Sequence, residues 1–270
     1  MKRIAAVTVL AAAAGLAVLG TSGPAAAADD ASVSVVHGIP GTPVNVFVNG
    51  KLTLQNFQPG KVAGPLSLPA GSYQVRVFPA ANTAGTGNPV ISATASVPAG
   101  ANVSLVAHLT AAGKPTLTPF VNDVSRLAAG QARLVVRHTA AAPAVDVRAG
   151  GTPVIRGLTN PQQRELTLPA GSVRADVVLA GTSTVVLGPA TLDLAEGSAT
   201  IVYATGSATQ KTLGLVVQTI TGLHSTPGGV PAGSGGLAAE GGVPGWLPLT
   251  VGLGVLAAAV GAARLATMRH

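Results

Sequence analysis

The stretch LSLPAGS at residues 66–72 returns as LTLPAGS at residues 166–172. Upstream, VSVVH at residues 33–37 is matched at nearly the same distance by LVVRH at residues 134–138. Matches that recur at a nearly constant spacing in separate segments are the signature of a duplicated unit. The chain therefore contains two tandem copies of one domain.

Each copy shows the period of two that is typical of half-buried β-strands. The residues at every second position include Val44, Val46 and Val48 in one run and Val103, Leu105, Ala107 and Leu109 in another. Turns such as Asn49-Gly50 separate the runs, giving about seven strands per copy. We predict an all-β fold with two tandem immunoglobulin-like antiparallel β-sandwich domains, at residues 31–123 (the first copy) and 130–221 (the second copy). Aromatic residues make up only 3% of the chain, so Val, Leu and Ala must build the cores, and the two domains could also pack on each other.

The amino terminus has the three parts of a signal peptide. Lys2 and Arg3 form the positive region, residues 4–20 form an uncharged apolar run, and AAA at residues 26–28 offers a cleavage site. We predict that residues 1–28 are a signal peptide and that the chain is exported. An uncleaved amino-terminal anchor is the alternative.

The carboxyl terminus contains a second apolar segment. Residues 241–263 carry no charge, and a helix of about 20 such residues spans the hydrocarbon core of a bilayer. We predict a transmembrane helix at residues 246–263. Arg264 and Arg269 follow it, and positive charge beside a span marks the cytoplasmic side. The expected topology is a single pass through the cytoplasmic membrane, with a basic tail at residues 264–270 inside and both domains on the extracellular face.

Residues 222–245 connect the second domain to this segment. Half of them are Gly or Pro, a composition typical of a flexible linker that cannot form a core. The run LPLT at residues 247–250 resembles a cell-wall sorting signal, although Val251 stands where that signal has Gly. Attachment to the cell wall as a sortase substrate is therefore the alternative to a membrane anchor.

The second copy carries residues that resemble a known family. His138 is followed by PAVDVR at residues 143–148 and by LPAG at residues 168–171. This combination is similar to the domain-of-unknown-function 4397 family, found in exported bacterial proteins and often in tandem. The first copy departs from the pattern because Asn45 stands where the second copy has Asp146. The resemblance implies a β-sandwich at the cell surface and no established activity.

Four residues at matching positions are candidates for a site. His37 and His138 end the first strand of each copy, and Asn45 and Asp146 follow eight residues later. If the two strands form a hairpin, each His could hydrogen-bond its partner and fix the loop between them. Alternatively, His138 and Asp146 are half of a metal or ligand site, although the first copy lacks the carboxylate. We expect residues that structure the loop or contact a ligand, and no catalytic, cofactor-binding or metal-binding residues.

The sequence contains no familiar catalytic motif. It has no Gly-x-Ser-x-Gly element, no phosphate-binding loop and no dinucleotide fingerprint, and it has no cysteine. We therefore expect a structural, binding or adhesion module of the bacterial envelope that needs no cofactor, with an envelope polymer or another surface protein as its partner. The alternative is a small-ligand-binding or enzyme-like domain that uses the His/Asp loop.

Arginine is more frequent in the second copy than in the first. We predict that Arg137 and Arg148 share an outward face that could touch anionic polymers. The alternative is a solvated face that keeps the sheet soluble. The chain has 16 Lys and Arg residues, of which four lie in the terminal segments. The remaining part therefore has 12 basic residues and nine acidic residues. Because the exported part is only slightly basic, we expect no nucleic-acid partner.

Overall fold

The computed structural model describes residues 29–225, which form sixteen β-strands and no helix. The first copy contains β1 Ala31–His37, β2 Val44–Val48, β3 Lys51–Phe57, β4 Val62–Leu68, β5 Gly71–Pro79, β6 Ile91–Val97, β7 Asn102–Leu109 and β8 Pro115–Asn122. The second copy contains β9 Gln131–His138, β10 Val145–Ala149, β11 Thr152–Leu158, β12 Gln163–Pro169, β13 Gly171–Leu179, β14 Val185–Leu194, β15 Ala199–Thr205 and β16 Gly214–Ile220.

The predicted signal peptide, all but the first four residues of the predicted linker, the predicted transmembrane helix and the basic tail lie outside the described residues. Between residues 29 and 225, no helix is long and apolar enough to cross a membrane.

Each copy consists of two four-stranded sheets. The first copy has the strand orders β4-β1-β7-β8 and β3-β2-β5-β6, and the second has β12-β9-β15-β16 and β11-β10-β13-β14. The pairs β1–β7 and β9–β15 are parallel, whereas their neighbours in these sheets pair antiparallel. The prediction of an all-β fold built from sandwiches is confirmed, and both copies share one topology.

The strand order differs from the predicted immunoglobulin-like order. In that order the first two strands are neighbours in one sheet, whereas here β1 pairs with β4 and β7, and β2 lies in the other sheet. The reason is the connection at residues 38–43, which crosses from one sheet to the other. It contains Pro40, Pro43 and a Gly41 with φ of 108°, and proline cannot donate to a hairpin ladder. Each copy also has eight strands rather than about seven.

Each sandwich encloses an aliphatic core supplied by both of its sheets. In the first copy Val33 and Val103 from one sheet pack with Val46 and Val75 from the other. The second core includes Leu134, Val136, Val147, Ile155 and Leu158. Alternation along each strand places these side chains on the inner face of the sandwich. The side chains between them lie on the outer face, which is free to pack against another surface.

The two copies also pack on each other through their sheets β4-β1-β7-β8 and β12-β9-β15-β16. We call this contact the joint. Its apolar residues are Val36, Val106 and Phe120 from the first copy and Val135, Ile201, Tyr203 and Val216 from the second. Strand β15 is buried at every residue, because one face lies in the second core and the other in the joint. The described residues 29–225 accordingly lie within one compact unit.

Candidate functional site

The two candidate histidines contact the backbone of the loop that follows them. The Nε2 atom of His37 lies 3.3 Å from the carbonyl oxygen of Thr42, and that of His138 lies 3.0 Å from the carbonyl oxygen of Pro143. Because β1 and β2 form no hairpin, neither histidine bonds the Asn or Asp of its copy within the described chain. Both rings are 1% exposed, and desolvation lowers the pKa of each. Each is therefore a neutral imidazole that donates from Nε2 to the loop.

Asn45 joins three segments at the outer face of the other sheet. Its Oδ1 atom accepts a hydrogen bond from the backbone N–H of Asn56 at 2.8 Å. Its Nδ2 atom donates to the carbonyl oxygens of Ala80 at 3.0 Å and Asn82 at 2.9 Å. The side chain is fully buried, so its amide replaces water for backbone groups that strand pairing leaves free.

Asp146 has the same role in the second copy, with a different second partner. Its Oδ1 atom accepts from the N–H of Gly157 at 2.7 Å, and its Oδ2 atom accepts from the N–H of Gly181 at 3.0 Å. These backbone donors, with that of Gly181 contributing most, lower the pKa of the Asp146 carboxyl. The loop after β13 thus presents an N–H where the loop after β5 presents carbonyl oxygens, which explains why one copy has Asp and the other Asn45.

Each of the four predicted residues thus hydrogen-bonds to backbone groups of its own copy. Within residues 29–225, no group of three or more His, Cys, Asp or Glu side chains is placed to hold a metal ion. The arrangement fixes the conformations of the crossover after the first strand and of the loops around the second strand of each copy.

Arg137 does not lie on the outward face that the sequence predicted for it. It is 1% exposed, because the outer face of β9 is covered by the first copy. Arg148 does reach the other sheet's outer face, where it pairs with Asp176 at 2.6 Å. The predicted patch of Arg137 and Arg148 therefore does not exist.

Arg137 forms the centre of a polar network in the joint. Its guanidinium donates to the side-chain oxygens of Gln163 at 2.8 Å, Tyr203 at 2.8 Å and Asn122 at 2.7 Å. It also lies 4.4 Å from the ring centroid of Phe120 and 5.3 Å from that of Tyr203. In the described chain no carboxylate lies within ion-pair distance of it. Desolvation lowers its pKa, but an arginine stays charged, so neutral acceptors and aromatic rings stabilise the charge.

Further polar contacts extend this network across the joint. Tyr203 donates to Oε1 of Gln218 at 2.6 Å, and the hydroxyl of Ser104 in the first copy donates to the same atom at 3.0 Å. At one end, Nδ2 of Asn160 donates to the carbonyl oxygen of Leu109 in the first copy at 2.7 Å. Hydrogen bonds between buried side-chain and backbone groups thus connect the two copies.

Arg133 secures the segment that links the two copies. Its guanidinium donates to the backbone oxygens of Asp123 and Ser125. It also pairs with the carboxylates of Asp123 at 2.9 Å and Glu165 at 2.6 Å. This side chain is 5% exposed, so the linking segment is held against β9.

The residues of the joint were not identified from the sequence, although one signal indicates that a second buried face exists. Strand β15, ATIVYAT, has no regular alternation between apolar and polar residues. A strand that is apolar on consecutive positions is typical of burial on both faces. Which partner covers the second face is not encoded in that pattern.

Comparison with known proteins agrees with the predicted resemblance. A family model described as "Domain of unknown function (DUF4397)" matches residues 31–148. The match spans all strands of the first copy and reaches into β10, so it includes His37, Asn45, His138 and Asp146. No curated protein matches the chain.

Exchanging the two loop-fixing residues tests their assigned contacts. In Asn45→Asp a carboxylate replaces the buried amide that donates to two carbonyl oxygens, so we expect a loss of about 2–4 kcal/mol in unfolding free energy. Asp146→Asn should be milder, because Oδ1 still accepts from Gly157. Urea denaturation of both variants measures which of them loses more unfolding free energy. Equal losses, or a larger one for Asp146→Asn, would contradict the assigned donors and acceptors.

The buried histidines make stability depend on pH. Burial lowers the pKa of His37, His108 and His138, so the unfolded chain takes up protons first as pH falls below about 6.5. The stabilisation that comes from keeping these histidines neutral and buried is therefore fully present above about pH 6.5. It is lost as the pH falls toward their pKa values in the folded chain. We expect a lower urea midpoint at about pH 5 than at about pH 7.5. His138→Asn should reduce this difference, and an unchanged difference in that variant would argue against a neutral, buried His138.

Replacing Arg137 tests the polar network of the joint. Arg137→Met leaves its three oxygen partners without a donor, and we expect a loss of about 2 kcal/mol. Arg137→Lys should also destabilise, because one ammonium cannot reproduce the planar fork of donors. The control is Arg156→Met at an exposed position, which should change the unfolding free energy by less than about 0.5 kcal/mol. If the Arg137→Met variant is as stable as this control, the polar network does not contribute to the free energy of unfolding.

Proposed function

Residues 31–148 belong to the DUF4397 family, whose description assigns no activity, and from this premise we propose that the chain is a structural or binding module of the bacterial envelope. Both sandwiches would be exported by the signal peptide and held at the extracellular face of the membrane by the helix at residues 246–263. The distribution of apolar residues in the sequence supports this topology, since continuous uncharged runs occur near the two ends.

The observation that carries the proposal is the joint. Two of the most completely buried side chains that carry polar atoms, Arg137 and Tyr203, connect the copies instead of facing a cleft. Two sandwiches fixed in this way present their loops in one constant arrangement. Rigid placement of loops is what a module for display or recognition requires.

The ionisable groups support a non-enzymatic role. Asp123, Asp146 and Asp176 all have a lowered pKa, chiefly because backbone N–H groups or Arg148 donate to them. A carboxyl that acts as a general acid near neutral pH needs a raised pKa instead. The histidines at the ends of β1 and β9 donate to loop carbonyls, so their Nε2 atoms are occupied.

Fractionation of cells that express the full chain tests the proposed location. We expect the mature protein in the membrane fraction, beginning at Asp29 by mass spectrometry and cleaved by protease added to whole cells. A matched chain that ends after Gly245 should be released into the medium, because it lacks the predicted helix and tail.

Two results would contradict this topology. Release of the protein by muramidase but not by detergent would indicate covalent attachment to the cell wall, as for a sortase substrate. Retention of residues 1–28 together with protection from added protease would indicate that the domains are not exported.

A further inference from the structure

The two sandwiches differ in how well one equivalent region is filled. In the second copy a cavity of about 350 Å³ lies between the edge strands β11 and β12, beside the turn at residues 169–172. In the first copy the matching region, between β3 and β4, contains a cavity of only about 70 Å³. We call the larger space the second-copy cavity.

Three residue exchanges account for the difference. Tyr73, Val75 and Val48 of the first copy correspond to Val173, Ala175 and Ala149 of the second, and all six line the respective cavities. The hydroxyl of Tyr73 donates to the carbonyl oxygen of Pro69 at 2.7 Å, so its ring extends across the region to the turn. Val173 is too short to do so, and the turn itself lines the cavity instead.

The lining of the second-copy cavity is almost entirely aliphatic. Its walls are formed by Leu134, Val147, Val154, Leu166, Leu168 and Val173, and its one polar side chain is that of Ser172. A charged group inside would lose its hydration without gaining a partner, whereas a hydrocarbon would gain by leaving water. An engineered cavity of about 150 Å³ with a similar lining already binds benzene.

The shape of the apolar space favours an extended ligand. A second cavity of about 40 Å³ shares Leu134, Val147 and Ala175 with the second-copy cavity and continues along the interior toward β14 and β16. At the rim, Val154 is 42% exposed, so the apolar surface also continues outward. A compact molecule would use only part of this path.

We propose that the second sandwich binds a single hydrocarbon chain, such as the acyl tail of a lipid, in the second-copy cavity. The first sandwich is the closed form of the same site, in which Tyr73 and Val75 occupy the ligand's place. This proposal goes beyond the proposed envelope module and does not depend on how the chain is anchored.

Binding is tested on a mature chain that begins at Asp29 and ends after Ser225, so that it contains every residue of the compact unit that the structure describes. The neutral fluorescent probe N-phenyl-1-naphthylamine reports occupancy, and straight-chain alcohols from hexanol to decanol compete with it. We expect one equivalent of probe to bind. Affinity should rise about fourfold for each added methylene and level off once the chain outgrows the cavity. Failure of the wild-type chain to bind the probe would overturn the proposal.

Residue exchanges between the copies provide matched variants. Val173→Tyr with Ala175→Val should close the second-copy cavity and weaken probe binding at least tenfold. Tyr73→Val with Val75→Ala should open the first-copy site and raise the stoichiometry from one to two. Ala175→Val alone is a milder variant, expected to weaken binding without disturbing the turn, and thermal unfolding establishes that each variant is folded.

Two outcomes would assign the probe to another surface. Unchanged affinity in both closing variants would exclude the second-copy cavity, as would an affinity that rises with alcohol length without levelling off. Methyl NMR shifts at Leu166 and Leu168 on addition of decanol locate the ligand in the wild-type chain independently of any variant. These results stay separate from the fractionation experiment, because a soluble chain can bind hydrocarbon wherever the full protein is located.

Discussion

The burial of Arg137 between the two copies is the constraint on which the rest of the structure depends. A guanidinium removed from water without a carboxylate partner is tolerable only if other groups stabilise its charge. Three side-chain oxygens and two aromatic rings fulfil that condition, and they come from both copies. The joint must therefore form in one register, with β9 facing the sheet that contains β8.

This requirement explains how the two copies have diverged. Val36 occupies in the first copy the position of Arg137 in the second, and Val106 occupies that of Tyr203, as the pairing of β1 with β7 and of β9 with β15 shows. Each apolar position of one copy thus corresponds to a polar or aromatic position of the other. Two first copies would have no charge to bury, and two second copies would bring two arginines together. The duplicated domains are complementary rather than interchangeable.

Divergence has affected the interiors as well. The first copy fills its sandwich with Tyr73 and Val75, while the second copy has smaller residues there and retains an apolar cavity. The polar residues near the loops, by contrast, have kept one role, since Asn45 and Asp146 both fix backbone and each matches the polarity of the loop it meets. One copy thus closes its core, and the other keeps space that a hydrocarbon chain can use.

The fold class could be predicted from the sequence because its signals are local. The repeat of LPAGS, the alternation along Val44, Val46 and Val48, and the turn residues between strands determine strands, their inner faces and the duplication without reference to distant residues. The resemblance carried by His138 and Asp146 was confirmed for the same reason, since it rests on short motifs.

The sequence by itself therefore determined the all-β duplicated architecture. Only the tertiary structure decided the strand order, the burial of Arg137 and the second-copy cavity. Each of these depends on contacts between residues far apart in the chain: the crossover at residues 38–43 separates β1 from β2, the first copy covers the outer face of β9, and Val173 leaves open what Tyr73 fills. A period of two predicts which side chains point away from the core of a sandwich. It does not predict which residues cover them, because that depends on the packing of distant parts of the chain.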